Sequence, residues 1–149
     1  MTGFLISDDE FKILPLGDLF VDGISFFGRN YTREEIFASS NGYITFGVGD
    51  STYTPEGLLA YSTAPIIAAH FDDYDPSQGG SITTSVIENS VFLNYNQVQP
   101  YSTPSSTADY SLGNTFTIKL TDNDQNPGIC VMHLINLFLM ECVYVLFFI

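Results

Sequence analysis

Between Phe4 and Leu120 the apolar residues come in short β-prone runs, each cut off by Gly, Asn, Asp, Ser or Pro before a helix could complete several turns. A helix needs an apolar stripe that recurs over successive turns, whereas a strand needs only a handful of alternating positions. The rhythm predicts an all-β domain of short antiparallel strands, a β-sandwich or a partly open barrel, and argues against βαβ units. Strands are expected at Ile24–Phe27, Glu35–Ala38, Tyr43–Phe46, Ile66–Phe71, Ile82–Ile87, Val91–Tyr95 and Thr115–Leu120. In the last of these Phe116, Ile118 and Leu120 alternate with Thr115, Thr117 and Lys119, the period of a strand with one wet face. Composition agrees, because 13 Phe and 9 Tyr stand against four Lys plus Arg, too few cations to dress long solvent-exposed helices.

Asn41-Gly42 lies between the apolar runs Ile36-Phe37-Ala38 and Tyr43-Ile44-Thr45-Phe46, and both residues tolerate positive φ. A type I′ hairpin is expected there. Gln99–Gly113, with Pro100, Pro104 and several Ser and Thr, has no apolar periodicity and reads as a long surface loop. Loops of that length usually carry function or disorder. The chain length fits one domain, taken as residues 4–128, followed by an apolar segment over 129–149.

A formal net charge of −13 repels phosphate backbones and anionic lipid headgroups, which removes nucleic acid from the expected partners. Both cysteines, Cys130 and Cys142, fall near the C-terminus, so the main body is not a disulfide-framed scaffold. The opening MTGFLISDDEFKILPLG has no basic region followed by an apolar one, so no secretory signal peptide is expected within it.

Ile129–Ile149 is long and apolar enough to suit a membrane span, but His133, Asn136 and Glu141 interrupt it and no Lys or Arg flanks it. Three readings stay open: strands that complete the core, a membrane or signal-like segment, or an ending that departs from the domain's proper sequence near Pro127.

His70-Phe71-Asp72-Asp73-Tyr74-Asp75 is the densest group of ligand-type residues. Asp72, Asp73 and Asp75 offer carboxylate oxygens of the kind Ca²⁺ prefers, whereas zinc would call for further Cys or His ligands. The alternative is that these Asp side chains cap a turn before Pro76. Asp122-Asn123-Asp124 opens like a calcium loop, but Pro127 and His133 stand where Gly and a bidentate Glu belong, so a polar turn is the better reading. No cofactor is required by any motif; Ca²⁺ is the candidate. Neither His lies in a recognisable nucleophile motif, no Gly-x-Ser-x-Gly elbow occurs and no phosphate-cradling loop precedes a helix, so a non-enzymatic role is expected. Tyr101 and Tyr110 in the long loop combine apolar area with a hydrogen-bonding tip, which suits recognition of a protein or a glycan; the alternative is that they cover the core. Asn30-Tyr31-Thr32 is an N-glycosylation sequon, meaningful in a eukaryotic secretory route.

Several blocks resemble, in order, the nidogen-like (NIDO) domain: Leu14-Pro15-Leu16-Gly17-Asp18; Ile24-Ser25-Phe26-Phe27-Gly28-Arg29-Asn30-Tyr31-Thr32; Ser40-Asn41-Gly42-Tyr43-Ile44-Thr45-Phe46-Gly47; Ala64 to Asp75 followed by Gly79-Gly80-Ser81-Ile82; and Asn114 to Leu120. The resemblance implies an extracellular or cell-surface module of adhesion or matrix assembly with a protein or glycan partner; with no signal peptide expected in the opening residues, such a module is a fragment, part of a larger protein, or exported by another route. Similar blocks in phage virion proteins keep a second reading in view, a virion or microbial surface-layer subunit that self-associates. Membrane contact enters only if 129–149 is a true span.

Overall fold

A computed structural model describes residues 3–54, 64–102, 113–122 and the backbone of 130–136. Its strands are β1 (Phe11–Ile13), β2 (Ile24–Phe26), β3 (Arg29–Tyr31), β4 (Ile36–Ser39), β5 (Tyr43–Phe46), β6 (Ile66–Ala68), β7 (Ser81–Ile87), β8 (Ser90–Val98), β9 (Asn114–Asp122) and β10 (Cys130–Asn136), with one 3₁₀ turn at Arg33–Glu35. All pairing is antiparallel, in two four-stranded sheets ordered β1-β4-β5-β6 and β10-β9-β8-β7 and a separate β2-β3 hairpin. This is the expected all-β architecture in its sandwich form. Each of the seven expected strands is present; β1 and β3, too short and too polar to stand out, were not anticipated. Among the described residues no helix is long and apolar enough to cross a membrane.

Alternation builds the core. Ile36, Ala38, Ile44, Phe46 and Ile67 from one sheet meet Ile82, Val91, Leu93, Tyr95, Phe116, Ile118 and Leu120 from the other. In β9 the three apolar residues are buried and the intervening Thr115, Thr117 and Lys119 only partly so, as the period of two requires. Tyr95 and Phe116, opposite each other in the β8–β9 register, stack with ring centroids 4.2 Å apart. Full burial of one such ring contributes about 1.5–3 kcal/mol, so this cross-strand pair adds substantially to the core face of its sheet.

The apolar tail enters the structure as β10, hydrogen-bonded to β9 from Cys130↔Asp122 to Asn136↔Phe116. Residues 137–149 lie outside the described residues.

The N-terminal segment straps the sandwich together. Phe4 N donates to Ile82 O at 2.7 Å on β7, Leu5 is buried, and Ser40 N donates to Glu10 O at 2.8 Å beside β4. β1 then runs along the edge of its sheet with Phe11 and Ile13 half-exposed. Lys12 stands between them, ion-paired to Glu10 at 2.7 Å, a charge on an edge strand of the kind that discourages pairing with another chain.

One turn departs from expectation. The β4–β5 connection is not type I′: of Asn41 and Gly42 only Gly42 has positive φ, +84°. Continuing the Ala38↔Ile44 register leaves Ser40, Asn41 and Gly42 as the connection, the length that takes one left-handed glycine at its end. Type I′ geometry sits instead in the β2–β3 hairpin, where Phe27 (φ 49°) and Gly28 (φ 75°) join the paired residues Phe26 and Arg29. Phe27 is an uncommon left-handed residue, held by an edge-to-face contact with Phe26 at 4.7 Å.

These two glycines separate backbone strain from packing. A Cβ at Gly28 would meet nothing within 4 Å, whereas one at Gly42 would lie 2.0 Å from His70 O. Gly28→Ala should cost about 1–2 kcal/mol, the left-handed penalty alone. Gly42→Ala should cost several kcal/mol more, or prevent folding, as measured by the urea midpoint. Equal losses would show that the buried turn yields and that its packing is not restrictive.

Candidate functional site

The β4–β5 turn is buried rather than exposed, because the Asn41 side chain is a junction. Its Nδ2 donates to Asp9 Oδ1 at 2.8 Å and to Thr52 O at 3.2 Å, and its Oδ1 accepts from Tyr74 N at 2.9 Å. One amide thereby holds the N-terminal strap, the 50–54 segment and the 72–75 segment in one place. Gly42 O accepts from Ala69 N at 3.1 Å, which brings the segment after β6 into the same junction.

This convergence collects three carboxylates. Oxygens of Asp8, Asp9 and Asp73 all lie within 4.8 Å of one another, with Asp8 exposed and the other two part-buried. Asp9 is itself left-handed, φ 48°. Burial, followed by the charges of Asp9, Asp8, Asp72 and Asp75, pushes the Asp73 carboxyl up to about 6. Asp8 is also raised, by burial first and then by Asp9 and Asp75. Three oxygen donors without sulfur or imidazole make a set that suits a hard cation such as Ca²⁺.

The segment 72–75 does not act as a unit. Asp73 alone of Asp72, Asp73 and Asp75 joins the cluster. Asp72 is exposed and accepts from Asp73 N at 2.9 Å. Asp75 is buried and turns inward, where its carboxylate accepts from Ser77 N at 2.9 Å, Ser77 Oγ at 2.6 Å and Gln78 Nε2 at 2.9 Å, the turn-capping role weighed above. His70 is exposed, and its Nδ1 lies 2.6 Å from the hydroxyl of buried Tyr74. Burial raises the Tyr74 hydroxyl far above its ordinary value, so it stays protonated. Asp122, at the end of β9, accepts from Phe20 N at 2.7 Å, a structural use of the residue that opens the calcium-like run.

Tyr101 lies next to this cluster. The segment after β8 pairs with 73–75: Asp75 N donates to Gln99 O at 3.0 Å, Tyr74 bridges Pro100, and Tyr101 N donates to Asp73 O at 2.7 Å. Gln78 Oε1 clamps Ser102, accepting from its Oγ at 2.6 Å. Tyr101 itself is 43% exposed. The start of the long loop is thus anchored with an aromatic ring in solvent; Tyr110 and the rest of the loop lie outside the described residues. Asn30 is exposed on β3 and donates through Nδ2 to Asp22 O at 2.7 Å.

Sequence reasoning reached Asp73 and Tyr101 separately but missed Asp8 and Asp9. The adjacent acids in Ser7-Asp8-Asp9-Glu10 are unremarkable as sequence, and nothing local shows that they fold back against residue 73.

A family model described as "NIDO related" matches residues 7–126. Neither a curated protein nor a solved structure matches the chain.

Crowded carboxylates make stability depend on pH with a definite sign. The Asp73 pKa is raised in the fold above its ordinary value of 3.8, so folding binds a proton and protonation stabilises. The melting temperature should rise as pH falls from above 6, the folded Asp73 value, toward 4.5, the ordinary value of Glu10 and Glu35. Below that Glu10 and Glu35, both held down by hydrogen bonds and a cation, lose their stabilising charge and the trend reverses. Asp73→Asn should flatten the rise; an unchanged slope would show that Asp73 does not carry it.

Proposed function

The chain belongs to the NIDO-related family across residues 7–126, and from that premise we propose that it is a non-catalytic binding module of the extracellular adhesion or matrix type, engaging a protein or glycan partner around Tyr101. The observation that carries this reading is the pairing of 99–101 with 73–75, which ties the backbone of half-exposed Tyr101 to Asp73, a member of the Asp8, Asp9 and Asp73 cluster. Tyrosines held in that way offer contact area at little entropic cost, and adjacent carboxylates add directional acceptors for hydroxyl or cationic groups. A nucleic-acid partner is disfavoured by the net charge of −13.

Binding of the purified chain to immobilised glycans and extracellular-matrix proteins tests the reading. Tyr101→Ala should weaken the strongest interaction at least about tenfold, about 1.4 kcal/mol, while shifting the melting temperature by no more than about 2 °C. Unchanged affinity would overturn it, and a large loss of stability would show Tyr101 to be structural.

In the same reading Asp8, Asp9 and Asp73 hold Ca²⁺ with the modest affinity of extracellular modules, Kd about 10⁻⁴–10⁻³ M. Calcium at about 10 mM should then stabilise the fold by about 1.4–2.7 kcal/mol, seen as an upward shift in melting temperature that Mg²⁺ at equal ionic strength does not match. Asp73→Asn should abolish the shift. A calcium effect that survives this substitution places the ion elsewhere.

A further inference from the structure

Asn41-Gly42 is the sole Asn-Gly pair in the sequence. An Asn followed by Gly is chemically labile, because the unhindered glycine nitrogen can attack the neighbouring side-chain amide. The nitrogen of Gly42 would bond to Asn41 Cγ, the Cγ–Nδ2 bond would break, and ammonia would leave with the proton that Gly42 nitrogen gives up. Water would then open the cyclic imide at either carbonyl, leaving aspartate or isoaspartate at position 41. Water is the other reactant, so no oxidant or cofactor is needed.

Both reacting groups are restrained in the folded chain. Asn41 is 0% exposed, both hydrogens of its Nδ2 are engaged by Asp9 Oδ1 and Thr52 O, and its Oδ1 accepts from Tyr74 N. Gly42 is buried in the same turn, and Ser39 O just before it accepts from the Tyr95 hydroxyl at 2.6 Å, with Tyr95 1% exposed. Cyclisation would have to break these bonds, rotate a packed amide and admit water to a dry turn.

The product does not fit the site that protects the reactant. A carboxylate at position 41 would have no N–H to give Asp9 or Thr52 and would set a fourth negative charge against the group of Asp8, Asp9 and Asp73. Isoaspartate would also insert an extra backbone carbon into a turn whose Gly42 has no room for a Cβ.

We infer that Asn41-Gly42 is a fold-protected deamidation site, silent in the native module and converting any prolonged unfolding into irreversible loss of the fold. Chemical modification of the unfolded state is a recognised route from reversible to irreversible denaturation, and here the reactive pair is the one on which refolding depends.

Peptide mapping by mass spectrometry with isoaspartate detection tests this on the full chain, incubated at pH 8 either folded or in urea. In urea Asn41 should convert faster than every other Asn in the sequence, and in buffer its rate should be at least about a hundredfold lower, because reaction requires opening of a core turn. On dilution from urea, the fraction that fails to refold should track the fraction modified at position 41. Asn41→Asp should refold poorly or melt well below the parent. Protection below about a hundredfold, a different Asn reacting first in urea, or an Asn41→Asp chain of unchanged melting temperature would each overturn the inference.

Discussion

A buried primary amide sets the geometry of this molecule. The Asn41 side chain offers two donors and one acceptor in fixed directions, and the strap at Asp9, the carbonyl of Thr52 and the amide of Tyr74 each take one of them. Polar groups sealed from water must be satisfied, and leaving one unpaired costs about 1–3 kcal/mol, so these segments are placed by the requirement that the amide be matched on every side. The neighbouring Gly42 allows no Cβ against His70 O, which brings the chain after β6 closer than any side chain would permit. An apolar residue at position 41 could fill the same volume but would not fix where the three segments end.

That arrangement has an electrostatic consequence. Asp9 is drawn in as the acceptor for Asn41, and Asp8 comes with it because it is the preceding residue. Asp73 arrives because Tyr74 N must reach Asn41 Oδ1. Carboxylates that would repel one another in solution are thus neighbours because hydrogen bonds close by hold them there. Local strain of this kind persists where the surroundings over-determine it, and such places are often where proteins meet ligands. The stacked Tyr95 and Phe116 lie beneath the same end of the sandwich, with Phe116 also against His70 at 5.7 Å. The polar junction therefore rests on a stiff aromatic layer.

Most of the fold was legible because its signals are local. Period-two alternation in 114–120 and the short runs at 24–27, 43–46 and 82–87 identify strands without knowledge of their partners. β1 and β3 were not legible, since Phe11-Lys12-Ile13 and Arg29-Asn30-Tyr31 become strands through the neighbours they pair with. The type I′ expectation at Asn41-Gly42 failed for a similar reason. Asn-Gly favours type I′ by intrinsic preference, but burial of the Asn41 amide selects a longer connection, while Phe27 accepts the left-handed conformation through its contact with Phe26. Within the candidate site Asp73 and Tyr101 could be named from residue type alone. Their adjacency, and the entry of Asp8 and Asp9, depend on contacts between segments far apart in the chain.

By itself, then, the sequence determined the all-β class, the faces of the strands, the net negative charge, and the NIDO resemblance, all properties written in residue type and short-range spacing. Only the tertiary structure decided which acids cluster, which Asp caps a turn, and that Asn41 lies in the interior. Hydrogen-bond satisfaction and close packing act between residues separated by tens of positions, and the order of side chains along the chain carries no direct record of that separation closing.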